Sequence, residues 1–223
     1  MAISAVQTSA QVAATGASAA LTLVATGAGN LVVVHINTTT AQTVTGVTDN
    51  ASNTYAVSAA LDNGADRAYQ AYGVQVAGGA TTVTVTFSAS VVHRCGADEY
   101  SGAAASNVAA FDASTTGTGT GTAVSVSTLT PAETGELIVV TGCTPLGDAA
   151  ATWTAGTGYT LYNGSGAISL RSQYKLSGDA TETAPWTLSS SLAWRAIATA
   201  FKPAPKSFLF NTKKPFNNSI LVR

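Results

Sequence analysis

The sequence predicts an all-β protein: a jelly-roll-like two-sheet β-sandwich built from two similar halves, followed by an extended C-terminal arm. Three observations carry this. Short runs alternate apolar and polar residues, clusters of Gly, Asn and Asp separate those runs, and two long segments repeat each other. No segment sustains a 3.6-residue apolar period with caps, so helix is expected to be minor.

The elements follow in order. Ala20–Val24 alternates, and Leu31–Ile36 is a run rich in β-branched residues. Tyr72–Val76 and Thr81–Phe87 alternate again. Thr and Val are stiff at χ1 and suit a pleated surface. Turn chemistry sits between the runs, at Gly27–Asn30, Asp49–Asn53, Asp62–Gly64 and Gly78–Gly79.

The repeat gives the organisation. TGAGNLVVV (26–34) resembles TGELIVV (134–140). TVTFSASVVHRCGADEY (84–100) aligns without a gap on PWTLSSSLAWRAIATAF (185–201), setting Ser88 over Ser189, Arg94 over Arg195 and Tyr100 over Phe201. Tyr69–Tyr72 falls near Ser172–Lys175. The halves are then about 4–105 and 106–203 of a 1–203 sandwich domain. Each half is expected to need the other to bury its apolar face, so that the two close one core. Ser114–Thr122 is low in complexity and reads as a flexible or extended link. Pro203 and Pro205 end the sheet, because proline cannot donate to a ladder.

Only 9% of the residues are charged, against about 25% in ordinary soluble proteins. Such a sparsely charged, Ser/Thr-rich chain suits short strands or packing in an assembly. The net charge of −1 hides an asymmetry. All eleven acidic residues precede Lys202, with only five basic ones among them, leaving the body at −6. The remaining five basic residues lie in 202–223 and give that segment +5. Five charges spread so thinly, behind a body that repels phosphate, argue against nucleic acid as a partner. No stretch is long and apolar enough for a membrane helix. The start, MAISAVQTSAQVAATG, lacks the basic and apolar regions of a signal peptide, which points to synthesis in a cytoplasm. Cys95 and Cys143 have no metal spacing and read as small core residues, or as one mutual disulfide.

No catalytic constellation emerges, so no enzyme activity and no cofactor or metal are expected. His35 and His93 read as strand histidines without a ligand partner at suitable spacing. Asp98 and Glu99 are adjacent and point to opposite faces of a strand. Glu133 and Glu136 read as solvated turn residues. Asp49–Asn53 offers oxygen ligands, but an Asx-rich turn explains it without calcium. Arg94 and Arg195 are expected to pair with a body carboxylate, Asp98, Glu99 or Glu182. Trp153, Tyr159 and Tyr162, in TWTAGTGYTLY (152–162), form a candidate glycan platform, whereas alternation places Trp186 and Trp194 in the core.

The pieces VTDNASNTY, GGATTVTVTFS, EYSG and AFKP, with the intervening strand pattern over residues 3–203, resemble a lectin-like jelly-roll β-sandwich domain of bacteriophage virion proteins, found in capsid decoration proteins and tail fibres. The resemblance implies a virion structural protein, assembled in the host cytoplasm and displayed on the capsid. It transfers no catalytic residue. The alternative it leaves is a tail-associated carbohydrate-binding adhesin that reads host-surface glycan. Residues 204–223 fall outside the resemblance and read as a docking arm. Phe208, Phe210, Phe216, Ile220, Leu221 and Val222 would be buried, and Lys213 and Lys214 would pair with acidic sites. The expected partners are other virion proteins and copies of the same chain.

Overall fold

A computed structural model describes residues 2–39, 42–64, 66–75, 77–147, 151–162, 168–178 and 180–205. The first sheet holds β1 (Ser4–Thr8), β2 (Val12–Thr22), β3 (Leu31–Thr39), β4 (Val44–Asp49), β5 (Ala56–Val57), β6 (Leu61–Asp62), β7 (Asp66–Val74) and β8 (Thr82–Ser101). One helical turn, α1 (Asn107–Ala110), leads into the second sheet. That sheet holds β9 (Phe111–Val124), β10 (Glu136–Cys143), β11 (Trp153–Ala155), β12 (Thr160–Tyr162), β13 (Leu170–Gly178) and β14 (Trp186–Phe201). The two antiparallel sheets pack together, as the predicted all-β sandwich requires.

The repeat is visible in the strand order. The first sheet runs β1-β8-β3-β7-β5 and the second β11-β14-β10-β13-β12. A long strand, β8 or β14, lies in each beside β3 or β10, with β7 or β13 beyond. β4 and β11 each pair with the first part of the long strand. The gapless alignment coincides with geometry at Ser88 and Ser189. Ser88 N–H donates to Thr43 O at 2.9 Å, and its Oγ accepts from Thr43 N at 3.2 Å. Ser189 N–H donates to Thr152 O at 3.0 Å, and its Oγ accepts from Thr152 N at 3.0 Å. The same two-way clasp recurs at matched positions.

One alignment shifts. Val33 faces Tyr72 and His35 faces Gln70, while Val139 faces Tyr174 and Thr141 faces Ser172. Tyr72 therefore corresponds to Tyr174, one residue off the sequence match. A one-residue slip moves side chains to the opposite face, so only the observed register puts both tyrosines between the halves. There Tyr72 meets Phe201 edge-on at 5.2 Å, and Tyr174 meets Tyr100 edge-on at 5.6 Å. Each ring pair joins one half to the other, and the two pairs are related by a pseudo-two-fold.

The expectation of a single shared core needs correction. Val32, Val34, Ile36, Val83 and Val85 bury a cluster made wholly of first-half residues. Ile138, Val140, Trp153, Trp186 and Trp194 bury another made wholly of second-half residues. A third cluster, with Leu31, Val33, Tyr100, Leu137, Val139 and Phe201, lies between the halves. β3 and β10 are therefore buried on both faces, and this is why each reads as a continuous apolar run rather than an alternation.

Of the two readings of the Thr-Gly tract the extended one holds, and rather than a link it forms most of β9, paired along β14. Its glycines allow close approach. A Cβ at Gly119 would lie 2.5 Å from the Trp194 ring, and one at Gly117 would lie 2.0 Å from Ser125 O. Cys95 and Cys143 are buried free thiols, Cys95 in the first-half cluster and Cys143 between the halves with Ala68, Leu170 and Ile197.

Candidate functional site

The faces that β3, β7 and β8 present to β10, β13 and β14 carry a connected set of buried polar groups. Along β3, Leu31, Val33, His35 and Asn37 share this inner face, and Leu137, Val139, Thr141 and Cys143 do so along β10. His35 and Thr141 are equivalent in the repeat, and they meet: His35 Nδ1 lies 2.6 Å from Thr141 Oγ1. Gln70 Nε2 donates to the same hydroxyl oxygen at 3.0 Å. The other ring nitrogen, Nε2, lies 2.8 Å from Asp98 Oδ2, so the imidazole bridges Thr141 of the second half and Asp98 of the first. Asp98 also accepts from Ser172 Oγ at 2.6 Å and Thr8 Oγ1 at 2.7 Å. Beyond Gln70 the chain continues through Thr199 to Ser114.

Serine, histidine and aspartate are present here, but their order is not that of a nucleophile relay. Ser172 donates to Asp98 rather than to His35, and all three are shut from solvent. The arrangement is a crosslink between the halves. Arg195 supplies a second. Its guanidinium donates to Asn63 Oδ1 at 2.6 Å and Asp66 O at 3.1 Å, and it lies 3.9 Å from the Asp66 carboxylate. The anticipated partners, Asp98, Glu99 and Glu182, are replaced by Asp66 at the start of β7, while those three carboxylates are taken up by other donors. Arg94, its repeat partner, is half-buried, and burial lowers its guanidinium pKa. Asp98 is held as described. Glu99 instead accepts from Asn30, Gln7 and the Gly27 N–H.

The structure does not gather an exposed platform from Trp153, Tyr159 and Tyr162. Trp153 is 5% exposed; its Nε1 donates to Ile168 O at 2.8 Å and its ring meets Trp186 edge-on. Tyr159 is buried and donates to Glu182, which also pairs with Lys175 at 2.5 Å. Tyr162 packs on Tyr100 and Tyr174 between the halves. A sugar ring needs an open aromatic face, and these rings are used in packing. Glu136 is likewise buried rather than solvated, and burial raises its carboxyl pKa. The arm residues Phe208, Phe210, Lys213, Lys214, Phe216, Ile220, Leu221 and Val222 lie outside the described residues.

The Asp49–Asn53 loop is an Asx turn. Asp49 Oδ1 accepts from the Ala51 and Asn53 N–H groups at 2.9 and 3.0 Å, and Oδ2 accepts from Asn53 Nδ2 and Tyr55 OH, both at 3.0 Å. Burial acts to raise this carboxyl, but those bonds outweigh it and hold it below the ordinary 3.8. A depressed carboxylate stabilises the fold above its unfolded pKa, and that stabilisation is lost as pH falls through the folded value. Asp49→Ala is expected to cost about 1–3 kcal/mol at pH 7. Urea unfolding of the two proteins should show the gap narrowing below about pH 4.

Sequence reasoning missed a groove. A cleft of about 450 Å³ is lined by residues 56–61 of the first half and by Phe111, Ser114 and Thr116 of the second, with Gln70, Tyr72, Ile197 and Thr199 between. A second hollow of similar volume shares Leu61 and Thr116 and extends to Trp194. No lining residue of either is charged. The only signal in the sequence is the uncharged run Ala56–Leu61, which composition alone does not distinguish from core.

Comparison with known proteins finds no matching family model, no matching curated protein and no matching solved structure.

Proposed function

We propose that the protein is a bacteriophage virion structural protein, displayed on the capsid as a decoration protein and attached through residues 204–223. One observation carries this reading: the groups best suited to chemistry are turned inward and spent on holding two β-halves together. His35, Asp98 and Arg195 are buried in hydrogen-bonded crosslinks between the halves, and Glu99 is buried among first-half donors. What faces outward on β2, β8 and β9 is largely Thr, Ser and Ala. Such a surface suits packing beside neighbours better than capture of a charged substrate. The resemblance of residues 3–203 to virion sandwich domains and the separate basic-apolar composition of 204–223 add support. A segment that orders on binding covers a large surface for its length.

The test is particle incorporation. Deleting 206–223 is expected to leave a folded body, since the core clusters described lie within residues 3–201. The truncated chain is expected to be lost from purified particles assembled in its presence. Truncated protein incorporated at the level of the full chain overturns the reading.

A further inference from the structure

We infer that the groove between residues 56–61 and β9 is the receptor for the Ser207–Thr212 segment of a second copy of this chain. The inference rests on reading 204–223 as a docking arm and names its acceptor. The groove's polar groups are already engaged. Gln70 bonds Thr141 and Thr199, Thr199 bonds Ser114, and Ser58 Oγ accepts from the Gln70 N–H at 3.0 Å. Little is left for the hydroxyls of a sugar. What remains is apolar surface, including Val57 at 37% exposure, and a strand edge. Among the described residues β5 and β6 have β7 as their only strand neighbour, so their far edge is open. An uncharged groove beside an open edge suits an extended segment that adds main-chain bonds and inserts alternate side chains.

The chain contains such a segment. SFLFNT (207–212) is uncharged, lies between Lys206 and Lys213, and places Phe208 and Phe210 on one face when extended. Its six residues span about 20 Å. The exit geometry selects another copy over the same one. Lys202 N–H donates to Ala110 O at 2.7 Å, beside the Phe111 end of the groove. Pro203 then bridges Ala103, and Ala204 N–H donates to Gly102 O at 2.8 Å. The chain passes the groove's end and runs on toward Gly102. Pro203 and Pro205 fix φ there and bias the residue before each toward extended backbone, which carries the chain onward. The body through residue 205, at −5, attracts the +4 that Lys206, Lys213, Lys214 and Arg223 give a neighbour's arm. One arm and one groove per copy make a head-to-tail contact, which grows into strings or closes into rings.

Complementation between two full-length variants tests this. Val57→Asp spoils the groove and keeps the arm; Phe208→Asp/Phe210→Asp spoils the arm and keeps the groove. By sedimentation velocity, wild type is expected to self-associate with rising concentration. Each variant alone is expected to associate at least tenfold more weakly, and the equimolar mixture is expected to give dimers, since one intact groove meets one intact arm. Ala59→Glu serves as a second groove variant, and unchanged melting temperatures show that the fold is kept. Monomeric wild type, a mixture that stays monomeric, or association indifferent to both groove changes overturns the inference. If the arm-deleted chain is also lost from particles, the acceptor is another virion protein and the proposed function stands without this contact.

Discussion

Replacing Asp98 with alanine is expected to lower the unfolding free energy by about 3–5 kcal/mol. Three donors converge on this carboxylate, from His35, Thr8 and Ser172. His35 and Asp98 are inaccessible to water, so groups left bare on this scale cannot be rehydrated without opening the interface. A buried polar group without a partner costs about 1–3 kcal/mol. Ser172→Ala removes one donor and leaves two, and is expected to cost about 1–2 kcal/mol. Urea unfolding measures both. A loss near zero for Asp98→Ala would mean that the crosslink does not hold the halves. The expectation also includes coupling: His35 and Asp98 substitutions should not add, because removing either strands the other.

The second large effect concerns a size exchange between the halves. The first half has Ile36 and Val85 facing its own cluster; the matched positions in the second half are Gly142 and Trp186. A Cβ at Gly142 would lie 1.4 Å from the Trp186 ring. The indole occupies the space that an isoleucine side chain takes in the other half. Gly142→Ile alone is expected to cost about 3 kcal/mol or more through overpacking. Trp186→Val alone should cost about 3 kcal/mol through the cavity it leaves. Together they recreate the first-half pair, and the double variant should be more stable than the sum of the singles by about 2 kcal/mol. Simple additivity in a thermal or urea titration would refute the exchange.

Legibility in the sequence varied with how local the cause was. Strand runs, Asx turns and the gapless match of 84–100 to 185–201 arise from neighbouring residues, and the structure carries the match and the turns, with the runs at Ala20–Val24 and Tyr72–Val76 ending early, at Thr22 and Val74. The Thr-Gly tract misled because glycine disfavours strands, while the reason for it is remote: Trp194 and Ser125 press on that backbone. The aromatic platform failed for a related reason. Whether Trp153 faces water depends on Trp186, 33 positions away, and not on the hairpin that carries it. The separate cores did leave a trace. The unbroken runs LVVVHIN and LIVV signal burial on both faces, which one shared core does not require. The crosslink through His35, Thr141 and Asp98 was not legible, because its members come from β3, β10 and β8 and meet only across the sandwich.

The division of strands between the sheets sets an order of events during synthesis. Every strand of the first sheet lies before residue 102, with Ser4 already paired to Ser101. That sheet and its private cluster are complete in composition before any strand of the second sheet leaves the ribosome. At about 5–20 residues per second, the remaining hundred or so residues take on the order of 5–20 s. Through that interval the face awaiting β10, β13 and β14 stands open. Its middle is His35, Asn37, Gln70 and Asp98, flanked by an apolar end at Leu31, Val33, Val74 and Tyr100. Water can satisfy those polar groups until Thr141 and Ser172 arrive, whereas a fully apolar face would adhere to other nascent chains. The polarity that crosslinks the finished molecule thus also limits the apolar surface its first half shows while the second is made.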